Sequence, residues 1–292
     1  LQHMSRSYKI FMGFNYILLL ILAVSCLFPL VHLLAISLSS KAAADAFKVT
    51  MWPVDFTVST YKQVMTNGQF IRSFTISALR SLIGPVVSLL IIIMACFSLE
   101  KSPRQFKGRN VYMWFFVFSM LFSGGLVPIY MVINNLGLRN NFLVFILPGA
   151  VSVYYMILVL NFFRMSIPAG LKDAAAIDGA GNFTSLIRIY IPLSMPVIAT
   201  IWLFLILDHW NSYFDGYIYM SSVKNYPLAT FLQAYNVVTV AQTAANYKDI
   251  QQFSNRTIKS AEVFIATVPI LLIYPFMQRY FIQGIVVGSI KE

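Results

Sequence analysis

Along the chain, long uncharged apolar runs alternate with shorter polar stretches. Arg6 and Lys9 precede the first run, Ile10 to Ser40. Four more follow at about Phe74 to Leu99, Val111 to Ile133, Asn141 to Phe163 and Leu193 to Tyr213. Uncharged runs of this length predict helices that cross a membrane, because a bilayer core takes about 20 helical residues. A sixth run, Val263 to Gln278, has an uncharged core of sixteen residues. It needs bilayer thinning or flanking residues to span. Gly84-Pro85 is expected as a tolerated break in the second run, and Ser123-Gly124-Gly125 interrupts the third. The first run competes with a signal peptide but continues beyond Cys26 as LFPLVHLLAI, too far for a cleaved leader. Leu1 to Met4 reads as a cloning remnant ahead of a start at Met4, and the glycine-broken tail FIQGIVVGSIKE as a docked terminal segment.

These runs predict an all-α integral membrane protein with six transmembrane helices in one domain, residues 1–292, with core spans at about 74–281. Residues 1–40 form the N-terminal segment and first span. Two mixed polar stretches, Lys41 to Ile71 and Asp215 to Ser260, lie between spans.

Composition agrees. The chain is 59% hydrophobic and only 11% charged, with mean hydropathy +0.74, against about 25% charged residues in a soluble domain. A net charge of +11 raises nucleic acid as a partner, but the basic residues form no single stripe. Basic loops beside spans account for them, and no nucleic-acid partner is expected. Six spans put both termini on one side with residues 101–109 and 164–192. That side holds Arg6, Lys9, Lys101, Arg104, Lys107, Arg109, Arg164, Lys172, Arg188, Arg279 and Lys291, so it is read as cytoplasmic. Arg80, near the outer end of the second span, reads as snorkelling to the headgroups. Cys26 and Cys96 have no metal-ligand spacing and read as small core residues, and the lone His32 as hydrogen-bonded packing.

The polar interruption Leu171 to Pro192, LKDAAAIDGAGNFTSLIRIYIP, has its own pattern. Ser166 is expected to cap a helix with Pro168 in its first turn. Ala174 to Ala176 favour that helix, and Gly179 and Gly181 stop it in left-handed conformations. Leu171, Ala174 and Ala175 share a face at helical spacing. A second helix, about Phe183 to Ile191, ends where Pro192 begins the next segment. On helix signals alone, an ordinary loop with one helical turn fits equally well.

Asp173-Ala174-Ala175, Gly179, Ile189 and Ile191-Pro192 resemble the EAA loop, the mark of transmembrane subunits of binding-protein-dependent ABC importers. Asp173 stands for the family's Glu and Ile191 for its usual Leu. The resemblance continues in Asp208-His209-Trp210-Asn211 with Tyr213-Phe214, in Asn225-Tyr226-Pro227-Leu228, and in the ending from Gln278 to Lys291. These look like carbohydrate importer permeases, the maltose-type second subunit and its alginate-type subgroup.

The resemblance implies a permease of the bacterial cytoplasmic (inner) membrane, paired with a second permease, two ATPase subunits and an extracytoplasmic solute-binding protein, and passing an oligo- or polysaccharide. ATP and Mg would sit on the ATPase subunits, with no cofactor on this chain. It implies a cytoplasmic coupling helix between spans four and five, and ATPase contact by Asp173, Ala174, Ala175, Asp178, Gly179, Ile189 and Pro192.

The chain has no GxxxxGK[ST] phosphate loop, HExxH or GxSxG, so a non-catalytic subunit is expected. An ion-coupled secondary carrier needs ionisable groups inside the membrane, and Asp208 and Glu262 lie near span ends. That reading and an integral membrane enzyme both stay open on composition, though neither accounts for the spacing from Asp173 to Pro192. Tyr154, Tyr155, Trp210, Asn211 and Tyr213 are the sugar-pathway candidates. Each also fits as an interfacial anchor or as bundle packing.

Overall fold

The computed structural model describes residues 6–234 and 255–289, with side chains from residue 7 and, in the last helix, for residues 255–276 and 278. Residues 1–4, expected as a cloning remnant, residues 235–254 of the long polar stretch and the side chains of the tail from Phe281 lie outside them.

The described residues are helical, without a strand. In order they form α1 (Arg6–Ser37), α2 (Lys41–Asp45), α3 (Ser59–Thr66), α4 (Gly68–Glu100), α5 (Arg109–Leu121), α6 (Leu126–Asn135), α7 (Val153–Ser166), α8 (Ala169–Ile177), α9 (Asn182–Ser185), α10 (Ile191–Leu193), α11 (Met195–Asn211), α12 (Phe214–Tyr219) and α13 (Asn255–Ser289). Three described segments are each long and apolar enough to cross a membrane: Ser7–Ser37, Gly68–Glu100 and Asn255–Phe276. Three bent pairs pass the same test when taken together: α5 with α6 at 115°, α7 with α8 at 79°, and Asn182–Leu193 with α11 at 82°.

The chain divides into two compact units. In the first, Leu1–Ile71 with Ala234–Pro269, the end of α1 folds over a short polar segment. Ala35, Ile36, Ala43, Ala44 and Val49 form a small core. Ser40 caps α2 by accepting from the Ala43 amide at 3.3 Å, and Arg256 donates to the Ala44 carbonyl at 2.7 Å. His32 Nδ1 donates to the Thr50 carbonyl at 2.6 Å, the packing bond expected of it. Cys26 is exposed on α1 rather than in a core.

In the second unit, Arg72–Gln233 with Ile270–Glu292, three stripes at helical spacing meet. They are Ile92, Cys96 and Leu99 on α4, Met156, Val159, Leu160 and Phe163 on α7, and Ile198, Ile201 and Leu205 on α11. Cys96, fully buried, donates to the Met156 carbonyl at 3.2 Å.

Several expected boundaries move. α4 runs unbroken through Pro85 for 33 residues, so Gly84-Pro85 is no break. The fourth run is not helical from Asn141: a 3-10 turn, Phe142–Phe145, precedes α7, which starts only at Val153. Pro148 and Gly149 lie between and disfavour a continuous helix. The third run breaks fully between α5 and α6. α13 is longer than its uncharged core, because Arg256, Lys259 and Glu262 enter its first turns, and it continues through Gly284 to Ser289 instead of breaking there.

Candidate coupling loop and polar cavity

The polar interruption folds as two helical segments joined by a tight turn. Pro168 is the N-cap of α8, with extended backbone, and Ser166 is the last residue of α7, so the expected serine cap does not form. Proline lacks an amide donor and disfavours helical geometry in the residue before it, which ends α7. At the other end Gly179 has φ +70. The Ala180 amide bonds the Ala175 carbonyl at 2.9 Å and the Gly179 amide bonds Ala176 at 3.2 Å. That pair of bonds is a Schellman cap, in which the left-handed residue is usually glycine. Gly181, at φ −67, is an ordinary extended N-cap for α9, contrary to the expected second left-handed stop.

The second segment is longer than expected. α9 passes through a π turn, Leu186–Tyr190, into α10, and the sharp bend falls at Ser194. Pro192 sits in the first turn of α10, where its missing donor costs nothing, so it starts no new segment.

α8 buries none of its residues. Ile177 is 86% exposed and Phe183 72%, and Ala174 and Asp178 are exposed with them. Together they make a partly apolar surface that no described residue covers. Asp173, also exposed, joins Ala175 and Ile189 in lining a cavity of about 480 Å³ beside the end of α4. Glu100, the last residue of α4, meets Lys172 in a salt bridge and accepts from the Tyr190 hydroxyl at 2.7 Å. Burial first, then the Glu100 carboxylate, pushes the Tyr190 phenol up, which keeps it protonated and donating.

A second cavity, about 330 Å³, lies between α4, α7, α11 and α12. Its polar lining is Arg80, Ser152, Tyr155, Asp208, His209, Ser212 and Asp215. Arg80 is 2% exposed; it pairs with Asp215, donates to the Ser212 carbonyl at 3.3 Å, and lies 4.8 Å from the Phe145 ring centre. Arg80 is therefore a buried, paired ion and not a snorkelling one. α4 and α11 touch closely here: a Cβ on Gly84 would stand 2.4 Å from His209 Nε2. Only a residue without a side chain fits that approach.

Tyr155 donates to Asp208 Oδ2 at 2.6 Å, and its ring stacks on Phe204 and leans on the exposed Tyr154. Asn211 is exposed and Tyr213 is 45% exposed. Trp210 is 8% exposed, with its ring edge-on to Phe74 at 5.6 Å, so its surroundings are packing. The geometry thus joins Tyr155 to Asp208 and separates Trp210 from them. Arg80, Asp215 and Glu100 were missed as site residues, because their partners lie 72 to 135 residues away in sequence.

No family model matches the chain. The polygalacturonan/rhamnogalacturonan transport system permease protein YtcP of Bacillus subtilis (strain 168) is 32% identical over 279 residues, covering 94% of this chain and 95% of that protein. The chain belongs to the ABC sugar-transport permeases. The protein LplC of the same organism is 33% identical over 99% of this permease and 98% of its own length. Among solved structures, a bacterial ABC transporter involved in the import of the acidic polysaccharide alginate matches with TM-score 0.84 and 28% identity, covering 96% of this permease and all of that chain.

As an ABC permease, the chain is a membrane-embedded, non-catalytic subunit of an ATP-driven transporter. The family agrees with the EAA-type spacing from Asp173 to Pro192.

Proposed function

We propose that this permease forms, with a second permease, the pathway for an oligo- or polysaccharide across a bacterial cytoplasmic membrane. Two ATPase subunits hold ATP and Mg, and a solute-binding protein delivers the sugar outside. In this reading there are six crossings, with α7 and α11 as the bodies of the fourth and fifth, and both termini and residues 164–192 lie in the cytoplasm; the clustering of basic residues on that side supports it. The carrying observation is the exposed α8 surface around Ala174 and Ile177, set on an EAA-type spacing and left uncovered by the described residues.

In this reading Ala174, Ile177 and Asp178 enter the ATPase groove, Asp173 reaches it from the rim of the inner cavity, and Gly179 sets the angle between α8 and the second segment. Ala175, Ile189 and Pro192 support the loop from behind. ATP closes the ATPase pair, the loop moves as a lever, and the bundle alternates between inward- and outward-open states. Tyr155 and Asp208 fit a sugar well. An aromatic face covers the apolar face of a sugar ring, and a carboxylate oxygen accepts from its hydroxyls. Tyr154, Asn211 and Tyr213 line the same end, and Trp210 supports them from the packed side. A polysaccharide is favoured over a small sugar by the kinship to permeases named for polygalacturonan and alginate.

The test is reconstitution in liposomes with the cognate ATPase, second permease and binding protein. Sugar uptake should require ATP, and hydrolysis should rise when loaded binding protein is added. Uptake by this permease alone, driven by an ion gradient, would replace the proposal with a secondary carrier. Orientation is checked in intact cells with Ile177→Cys in a Cys26→Ser background: an impermeant maleimide should react only after lysis.

A further inference from the structure

The contacts of α8 with its own chain are unlike those of the helices around it. It buries no residue, so apolar packing does not fix it, and a cavity of about 480 Å³ lies on its inner side. What crosses to α4 is polar and converges on one residue. Glu100 ends α4 with a side chain only 8% exposed; one carboxylate oxygen pairs with Lys172 of α8, and the other accepts from Tyr190 of the second segment at 2.7 Å. The next residue, Lys101, donates to Asn182 at the start of α9 at 2.7 Å. A single helix end therefore grips both arms of the loop. Lys172 also lies 6.0 Å from the Tyr190 ring centre, so the two donors face each other across the carboxylate.

We infer that Glu100 is a positioning residue for energy coupling, transmitting displacement of the coupling loop to α4. The inference rests on the proposed role of the loop as the ATPase contact. A carboxylate that gives one oxygen to each arm fixes the angle between them. Charge-assisted bonds at a largely dehydrated group are strong and poorly screened by salt. Without the carboxylate, α8 hangs from the turns at Pro168 and Gly179 and can tilt into the cavity instead of pushing α4. Because α4 is continuous from Gly68 to Glu100, a push on Glu100 also reaches Arg80, which lines the second cavity, and Gly84, which abuts the cavity-lining His209. The ATPase contact is thereby linked to the sugar pathway through one rod.

The experiment compares wild type, Glu100→Gln and the double exchange Glu100→Lys with Lys172→Glu in the complete reconstituted transporter. Sugar uptake, ATP hydrolysis and ATPase co-purification are measured on the same preparations. Glu100→Gln keeps an acceptor for Tyr190 but removes the charge. It should lower sugar moved per ATP about tenfold, while membrane insertion and co-purification stay normal. The double exchange restores an ion pair with Tyr190 as acceptor and should recover most of the ratio. Unchanged coupling in Glu100→Gln would overturn the inference, as would loss of co-purification in step with uptake, which would make Glu100 a fold determinant only. A wild-type complex without ATP-dependent uptake would instead fail the proposed function itself.

Discussion

The middle and the C-terminal end of α4 are held in opposite ways. Near Gly84, α4 meets α11 backbone against ring, and Arg80 is locked onto Asp215 and the Ser212 carbonyl. Near Glu100 the neighbours stand off across a cavity, and polar side chains bridge the gap. The middle resists any change in spacing, because close-packed groups have no room to give. The end can change angle at low cost as long as its bonds persist. A helix fixed at its middle and bridged at its end suits a part that must carry force without being rigid throughout.

The largest effect is expected at Arg80. Arg80→Leu leaves Asp215 without its cation and should cost about 3 kcal/mol, read as a lower melting temperature of the detergent-solubilised permease. Adding Asp215→Leu should recover most of that loss. A wild-type melt for Arg80→Leu alone would erase the contrast between the middle of α4 and its C-terminal end.

Gly84→Val comes next, since its side chain must displace the His209 ring. Overpacking of this kind costs about 2 kcal/mol, and His209→Ala in the same chain should relieve it. If Gly84→Val melts like wild type, α4 and α11 do not approach as closely as stated.

At the bridged end, Gly179→Ala should cost about 1 kcal/mol, because an alanine is strained at a positive φ. The loss should stay local: amide exchange at Gly179 and Ala180 speeds up while the global melt holds. A drop in global melting would show the loop to be as tightly integrated as the core.

The smallest change is Tyr155→Phe. It removes the bond to Asp208, whose exposed carboxylate rebinds water, so stability should fall by less than about 1 kcal/mol. Sugar uptake should show a raised KM with little change in the ATPase rate. An unaltered KM would move Tyr155 out of the pathway and into packing, beside Trp210.

The contrast also marks what the sequence made legible. Apolar length located α1, α4 and the apolar body of α13, and the Gly179 turn was visible because one residue type suits its backbone. Ser166 and Pro192 misled for local reasons: Pro168 took the cap position that suits a serine, and the helical course ran on through Pro192 to the bend at Ser194. The 3-10 turn before α7 was hidden inside a uniformly apolar run, where hydropathy cannot tell a helix from an irregular segment. Arg80 misled for a non-local reason. An arginine near a span end has two good fates, headgroup or buried partner, and only the fold brings Asp215 to it. Glu100 carried even less signal, being one acid before the basic stretch that begins at Lys101.

The unbroken course of α4 also acts as a ruler. From Arg80 to Glu100 is twenty residues, which at helical rise is about 30 Å. That equals the hydrocarbon thickness of a typical bilayer. The two charged clusters on this helix therefore stand about one hydrocarbon thickness apart, and the stretch between them, Ser81 to Leu99, carries no ionisable side chain except the thiol of Cys96. Arg80 meets its partner inside the protein, so its charge is not solvated by lipid tails. Shortening this interval by one helical turn would draw the Glu100 pair inward by about 5 Å, so the length between them is as constrained as the charges themselves.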